Sequence, residues 1–114
     1  MWPTDIRVRD EGRMLALTFD NGEQGFATAE LLRVESPSAE VKGHGPGQEQ
    51  LVWGKRNVRI SKVEAVGNYA IRIIFDDGHS TGIYTWPYLH TLLRQGETLF
   101  AAYETKLKAA GLSR

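Results

Sequence analysis

Apolar and polar side chains alternate in two similar stretches of the chain, residues 15–19 and 71–75. Large apolar residues take every second position of both stretches: Leu15, Leu17, Phe19, Ile71, Ile73 and Phe75. A period of two predicts strands with one buried face. An Asn-Gly pair follows the first stretch and an Asp-Gly pair the second, and such pairs favour tight turns. We therefore predict two β-hairpins of similar build, with returning strands at about residues 23–27 and 79–84.

Each predicted hairpin is followed by a pattern typical of a helix. Thr28 precedes a short apolar run and can cap its exposed N–H groups. Thr85 and Pro87 mark the start of a longer helix, which we expect to end near Gly96. A separate C-terminal helix is predicted at about residues 98–110, with apolar residues on one side: Leu99, Phe100, Tyr103 and Leu107.

The segment between the two halves is predicted to be a loop. Residues 36–48 contain three glycines and two prolines with little apolar content. A further strand is predicted at residues 58–66, ending in a turn at Gly67 and Asn68. The predicted fold class is α+β: two β-hairpins forming antiparallel sheet, short helices after each hairpin and a C-terminal helix.

Length and charge limit the classes of function. A chain of 114 residues fits a single domain over residues 1–114. The 14 basic and 14 acidic side chains cancel, which argues against a general nucleic-acid binder, because such binders neutralise phosphates. The most basic stretch, residues 55–62, is interpreted as the solvated face of a strand. No membrane-spanning run and no secretory signal are visible, so we expect a cytoplasmic protein without a membrane partner.

The residues that usually carry catalysis are absent or wrongly spaced. The chain has no cysteine, which excludes a thiolate zinc site and a cysteine nucleophile. The histidines His44, His79 and His90 lack the spacing of a facial-triad iron site or a zincin helix. The glycines around His44 do not lie between a strand and a helix, as a phosphate loop requires. We therefore predict no catalytic residues and no cofactor.

Two further features leave alternatives open. His44 lies between glycines, where it is either free to approach a ligand or part of an unstructured loop. Trp86 and Tyr88 flank Pro87 at a strand–helix junction, where bulky aromatic residues either fill a core or anchor a partner.

Two strings in the sequence resemble the signatures of a known family. The first is Leu-Leu-Arg-Val-Glu-Ser-Pro-Ser-Ala-Glu at residues 31–40. The second covers residues 67–89 and includes Asp-Gly-His and Tyr-Thr-Trp-Pro-Tyr. Both resemble the gamma-butyrobetaine hydroxylase-like N-terminal domain family, over roughly residues 3–93. The predicted C-terminal helix lies beyond this resemblance.

The resemblance implies a zinc site that this chain has lost. In the hydroxylases of this family, three cysteines of a Cys-Pro-Cys-x-x-Cys run and the histidine of the Asp-Gly-His turn hold zinc. The corresponding positions here are Ser36, Ser38, Val41 and the retained His79. Serine stays protonated at neutral pH and valine has no donor atom, so we expect no metal. We expect the Ser-Pro-Ser loop to pack beside His79 and to form a hydrogen bond with it.

The resemblance also implies a type of function. The oxygenase part of the hydroxylases has no counterpart in this sequence, and stand-alone bacterial members are of unknown function. Related domains occur fused to iron–sulfur carrier proteins. The resemblance thus favours a non-catalytic accessory or protein-interaction domain, linked to iron–sulfur protein assembly, that binds an unknown protein partner through a face near His44 and Trp86. The candidate binding residues are Ser36, Ser38, His44, His79, Trp86 and Tyr88.

The alternative is a metal-binding protein or metal-dependent enzyme. It would use His79 together with His44, Glu35 or Glu40 as ligands. A homodimer is compatible with the sequence, since symmetric dimers are the commonest assembly, but no pattern in the chain requires one.

Overall fold

A computed structural model of the chain describes residues 1–43 and 50–114. Its strands form two antiparallel three-stranded sheets, each in sequence order. The first sheet contains β1 (Pro3–Arg9), β2 (Met14–Phe19) and β3 (Gln24–Thr28), and the second contains β4 (Ile60–Val66), β5 (Ala70–Phe75) and β6 (Ile83–Thr85). The α-helices are α1 (Ala29–Val34), α2 (Ala39–Lys42) and α3 (Trp86–Ala109), and a 3-10 turn at Asp10–Gly12 joins β1 to β2. The α+β class is therefore confirmed.

The two predicted hairpins are present, at β2–β3 and at β5–β6. Gly22 and Gly78 have φ angles of 88° and 91°, which L-residues with a side chain rarely adopt. Each glycine N–H closes the turn onto the last residue of the preceding strand, Phe19 or Phe75. The second returning strand is shorter than predicted, because residues 79–82 leave the sheet before β6 begins. This departure places His79 in the interior.

The main hydrophobic core contains residues of both sheets, α1 and α3. The alternating residues of β2 and β5 all lie in it, as their period of two predicts: Leu15, Leu17, Phe19, Ile71, Ile73 and Phe75. Leu89 and Leu92 of α3 and Leu32 of α1 pack against the same core. Burial of each such side chain contributes roughly 1.5–3 kcal/mol.

The predicted break near Gly96 is wrong, because α3 is one helix from Trp86 to Ala109. A Cβ at position 96 would lie 3.1 Å from Leu31 Cδ2. Glycine here lets α1 pack closely on α3 and does not end the helix. The helix ends before Gly111, whose φ of 69° is the left-handed conformation common at helix C-termini. Both helix starts agree with prediction, since the Thr28 and Thr85 hydroxyls accept from Leu31 N and Tyr88 N.

Strand β1 was not predicted from the sequence. Five of its seven residues are exposed, so it shows little hydrophobic periodicity, although Ile6 packs against the core. It pairs with β2 at the edge of the first sheet. No helix within residues 1–43 or 50–114 is long and apolar enough to cross a membrane.

Candidate functional site

The Ser-Pro-Ser segment joins α1 to α2 and buries both of its serines. Ser36 has no exposed surface and Ser38 is also buried. The Ser38 hydroxyl accepts from Glu40 N at 3.2 Å and so caps α2. The Ser36 hydroxyl accepts from Ser38 N at 3.3 Å, which fixes the turn between the helices. The first role of these serines is thus local, in shaping the connection.

His79 completes a polar cluster with this segment. Its Nε2 lies 2.9 Å from Ser36 Oγ and its Nδ1 lies 3.0 Å from Glu40 Oε2. Because a carboxylate only accepts, Nδ1 carries the proton, and Nε2 of the neutral ring accepts from the Ser36 hydroxyl. Burial and then the nearby charge of Arg33 lower the pKa of His79, against the opposing effect of Glu40. The expected packing of the Ser-Pro-Ser loop beside His79 through a hydrogen bond is confirmed.

Thr81 and Gly82 contact the two serines of this cluster. Ser38 Oγ lies 2.6 Å from Thr81 Oγ1. Gly82 is buried against Ser36, and a Cβ at position 82 would overlap Ser36 Oγ and lie 3.1 Å from Tyr84 Cε1. The Ser36 and Ser38 hydroxyls therefore both have protein partners. We call Ser36, Ser38, His79 and Thr81 the serine–histidine cluster.

An ionic group lies directly beside the cluster. Asp77 Oδ2 accepts from Arg33 Nε and pairs with Lys55 Nζ, both at 2.7 Å, while Asp77 Oδ1 accepts from His79 N at 3.0 Å. Burial raises the pKa of Asp77, but the hydrogen bonds from Lys55, His79 N and Arg33 outweigh it and lower the pKa to about 2. This group ties α1 to the second hairpin. From the sequence, Asp77 was assigned only to turn formation, because its partners lie 44 and 22 residues away and leave no local pattern.

The donor atoms do not fit the zinc ion that the family resemblance implies. Ser36 and His79 bond to each other, and Val41 is a buried apolar residue. Among residues 1–43 and 50–114, no group of three or more His, Asp or Glu side chains could hold a metal ion. Of the ligands in the metal-binding alternative, Glu40 bonds to His79 and Glu35 pairs with Lys42 at 3.2 Å. His44 lies outside the described residues.

The two aromatic candidates lie in different places. The Tyr88 hydroxyl donates to Glu35 O, which places it next to the serine–histidine cluster, and burial raises the pKa of Tyr88 to about 12. Trp86 donates from Nε1 to Asn68 O at 2.9 Å, at the opposite end of β5 from His79. Six residues of strand, about 20 Å, separate these ends. Both residues are partly buried against the core, and their role in binding a partner stays a prediction.

A groove between β3 and α3 is a feature that sequence reasoning did not find. Its volume is about 560 Å³. Phe26 is among its lining residues and is 57% exposed. The other lining residues are mainly small or apolar, with three acids and one arginine: Gly25, Ala27, Thr28, Glu30, Leu31, Leu93, Gly96, Glu97, Phe100, Ala101, Glu104 and Arg114. The one indication of a binding surface in the sequence was Phe26, a large apolar residue at an outward-facing position of β3.

A comparison with protein families shows which family the chain belongs to. The profile of the family described as gamma-butyrobetaine hydroxylase-like, N-terminal matches residues 6–90. The chain belongs to this family. The match ends within the first turns of α3, so the rest of that helix and the C-terminal tail lie outside the matched region.

Solved structures agree with membership of the gamma-butyrobetaine hydroxylase-like N-terminal family. Two solution NMR structures are 45% and 42% identical to this chain, each with a TM-score of 0.85, over 99% of this chain and 84% and 89% of theirs. A crystal structure from Acidithiobacillus ferrooxidans is 39% identical, with a TM-score of 0.66, over 79% of this chain and 90% of its own. It is a protein of unknown function from the DUF971 family. A comparison with curated proteins finds no match.

Proposed function

We propose that this family member is a non-catalytic protein-interaction domain whose partner docks in the groove between β3 and α3. The observation that carries the proposal is the exposed Phe26 beside an apolar groove of about 560 Å³. Exposed aromatic residues next to a pocket are typical anchors for a partner, because they bury much area at little entropic cost.

The chemistry of the serine–histidine cluster supports a binding role over a catalytic one. A nucleophilic serine needs a free hydroxyl in a cleft and a base that can take its proton. Here Ser36 is fully buried and Gly82 closes the space above it. We propose that the cluster, together with Tyr88, holds α1 in place and thereby shapes the surface that a partner contacts.

The groove is a better-supported docking site than the face near His44 and Trp86. Trp86 is partly buried and its indole nitrogen already bonds to Asn68 O. Phe26, in contrast, is more than half exposed. A role in iron–sulfur protein assembly is a narrower form of the proposal and is supported by the family resemblance alone. In that form, the partner is an iron–sulfur carrier protein.

Site-specific photo-cross-linking tests the proposal. The photoreactive analogue p-benzoylphenylalanine is placed at position 26 and, as a matched control, at Tyr69, which is similarly exposed at 53%. We expect a discrete cross-linked product from position 26 in cells, identified by mass spectrometry, and none of the same mass from position 69. A product of about twice the chain mass would identify a second copy as the partner. Absence of a product at position 26, or the same product from both positions, contradicts the proposal.

A further inference from the structure

The end of the groove nearest the C-terminal tail contains an arginine. After α3, Gly111 reverses the chain and Leu112 N donates to Leu107 O at 2.9 Å. This turn brings Arg114 back to α1, where its Nε and Nη2 donate to the two carboxylate oxygens of Glu30 at 3.0 and 2.7 Å. The guanidinium carbon also lies 5.1 Å from the centre of the Phe100 ring.

Glu30 and Phe100 together form a pocket suited to a guanidinium group. Glu30 is only 6% exposed, and a buried carboxylate needs a paired cation because its loss of solvation is costly. The two parallel hydrogen bonds match the planar guanidinium group of arginine, and the Phe100 ring forms a cation–π contact with it. A lysine ammonium cannot form this bidentate pair. The geometry of this pair therefore fits arginine better than lysine.

The groove is larger than the side chain that occupies its end. Besides Arg114, the groove is lined by Leu93, Gly96 and Phe26, which is 57% exposed. Glu97 and Glu104, both exposed on α3, add negative charge along the same groove. An apolar floor with an acidic side and a guanidinium pocket at one end is complementary to an apolar segment that carries an arginine.

We propose that the groove binds a partner segment that inserts an arginine side chain between Glu30 and Phe100, and that Arg114 fills this position until the partner displaces it. The inference rests on the proposed function and names the chemistry of the partner. Arg114 then acts as an internal competitor. The apparent affinity for the partner is reduced by the fraction of molecules in which the pocket is already filled.

Peptide binding to the Arg114→Ala variant tests the proposal. The probe is a short capped peptide of leucine and alanine with one central arginine, and the matched probe has lysine in its place. Binding is followed by amide chemical shifts at Phe26, Glu30 and Phe100. We expect Arg114→Ala to bind the arginine peptide at least about tenfold more tightly than the wild-type chain. We expect Arg114→Ala to bind the lysine peptide at least about fivefold more weakly than the arginine peptide, since lysine lacks the planar fork. Adding Glu30→Gln to this variant should abolish its preference for the arginine peptide.

Each other outcome overturns the inference without deciding the proposed function. Equal binding of the two peptides would mean that the groove takes an apolar segment of any charge. Equal affinity of the variant and the wild type would exclude competition by Arg114, and no binding to the variant would exclude the pocket. Cross-linking at position 26 tests docking independently in each case. If Arg114→Ala does not give a folded amide spectrum, Arg114→Lys replaces it, because it keeps the charge and loses the bidentate pair.

Discussion

Replacing Gly82 by alanine is expected to lower the free energy of unfolding by about 3 kcal/mol, the upper range for overpacking a core. The added methyl group would overlap Ser36 Oγ and lie 3.1 Å from Tyr84 Cε1, and both residues are fully buried. The Ser36 hydroxyl would have to turn away from His79, which leaves a buried ring nitrogen without its hydrogen bond. Urea denaturation followed by circular dichroism measures the loss.

Two comparisons separate the steric clash from a general effect of alanine at a glycine. In Gly25→Ala the new Cβ meets only the side chain of Leu93, at 3.3 Å, so we expect a cost below about 1 kcal/mol. In a Ser36→Ala background the overlapping oxygen is gone, and Gly82→Ala should cost about 1 kcal/mol less than in the wild type. Equal costs at positions 82 and 25 would mean that the serine–histidine cluster is loosely packed.

Asp77→Asn is expected to have the other large effect, a loss of about 3 kcal/mol at neutral pH. The Asp77 carboxylate, 17% exposed, is shared by Arg33 and Lys55, which are themselves only 12% and 23% exposed. Removing its charge leaves two poorly solvated cations facing each other, and breaking such a buried pair is strongly destabilising. Asp5→Asn is the control, because the exposed pair of Asp5 with Arg7 contributes between zero and about 1 kcal/mol.

The same ionic group predicts a dependence of stability on pH. The pKa of Asp77 is about 2 in the folded protein, against 3.8 for the free side chain. Because the folded-state pKa lies below the unfolded value, the stabilisation is complete above about pH 4 and is lost as the pH falls through about 2. This pH-dependent contribution to the free energy of unfolding amounts to about 2 kcal/mol in the wild type and should be absent from Asp77→Asn. Parallel pH profiles for the two proteins would contradict the assignment.

The parts of the fold that the sequence predicted are those with a local pattern. Alternating residues such as Leu15 and Leu17, followed by Asn-Gly or Asp-Gly, were sufficient for both hairpins. The contact between Ser36 and His79 was also expected, but only through the family resemblance. In contrast, β1 was missed because most of its residues are exposed, and Gly96 was taken for a helix end. Its packing against Leu31 depends on tertiary structure that no local pattern records.

In the candidate site, too, some contacts were predictable from the sequence and others were not. The serine–histidine cluster was predictable in outline because Ser36, Ser38 and His79 fall at positions that the family resemblance assigns to zinc ligands. The ionic group around Asp77 and the pair of Glu30 with Arg114 join residues up to 84 positions apart, without any repeat or motif. Such contacts depend on how α1, the second hairpin and the C-terminal tail pack together.

We propose that hydrogen bonds within the serine–histidine cluster take the place of the zinc ion that the family resemblance implies. Elemental analysis of tag-free protein, after incubation with zinc or ferrous iron and desalting, tests this claim most directly. We expect far less than one metal ion per chain, with no change on replacing His79 by alanine. One metal ion per chain in the wild type, lost in His79→Ala, would contradict it.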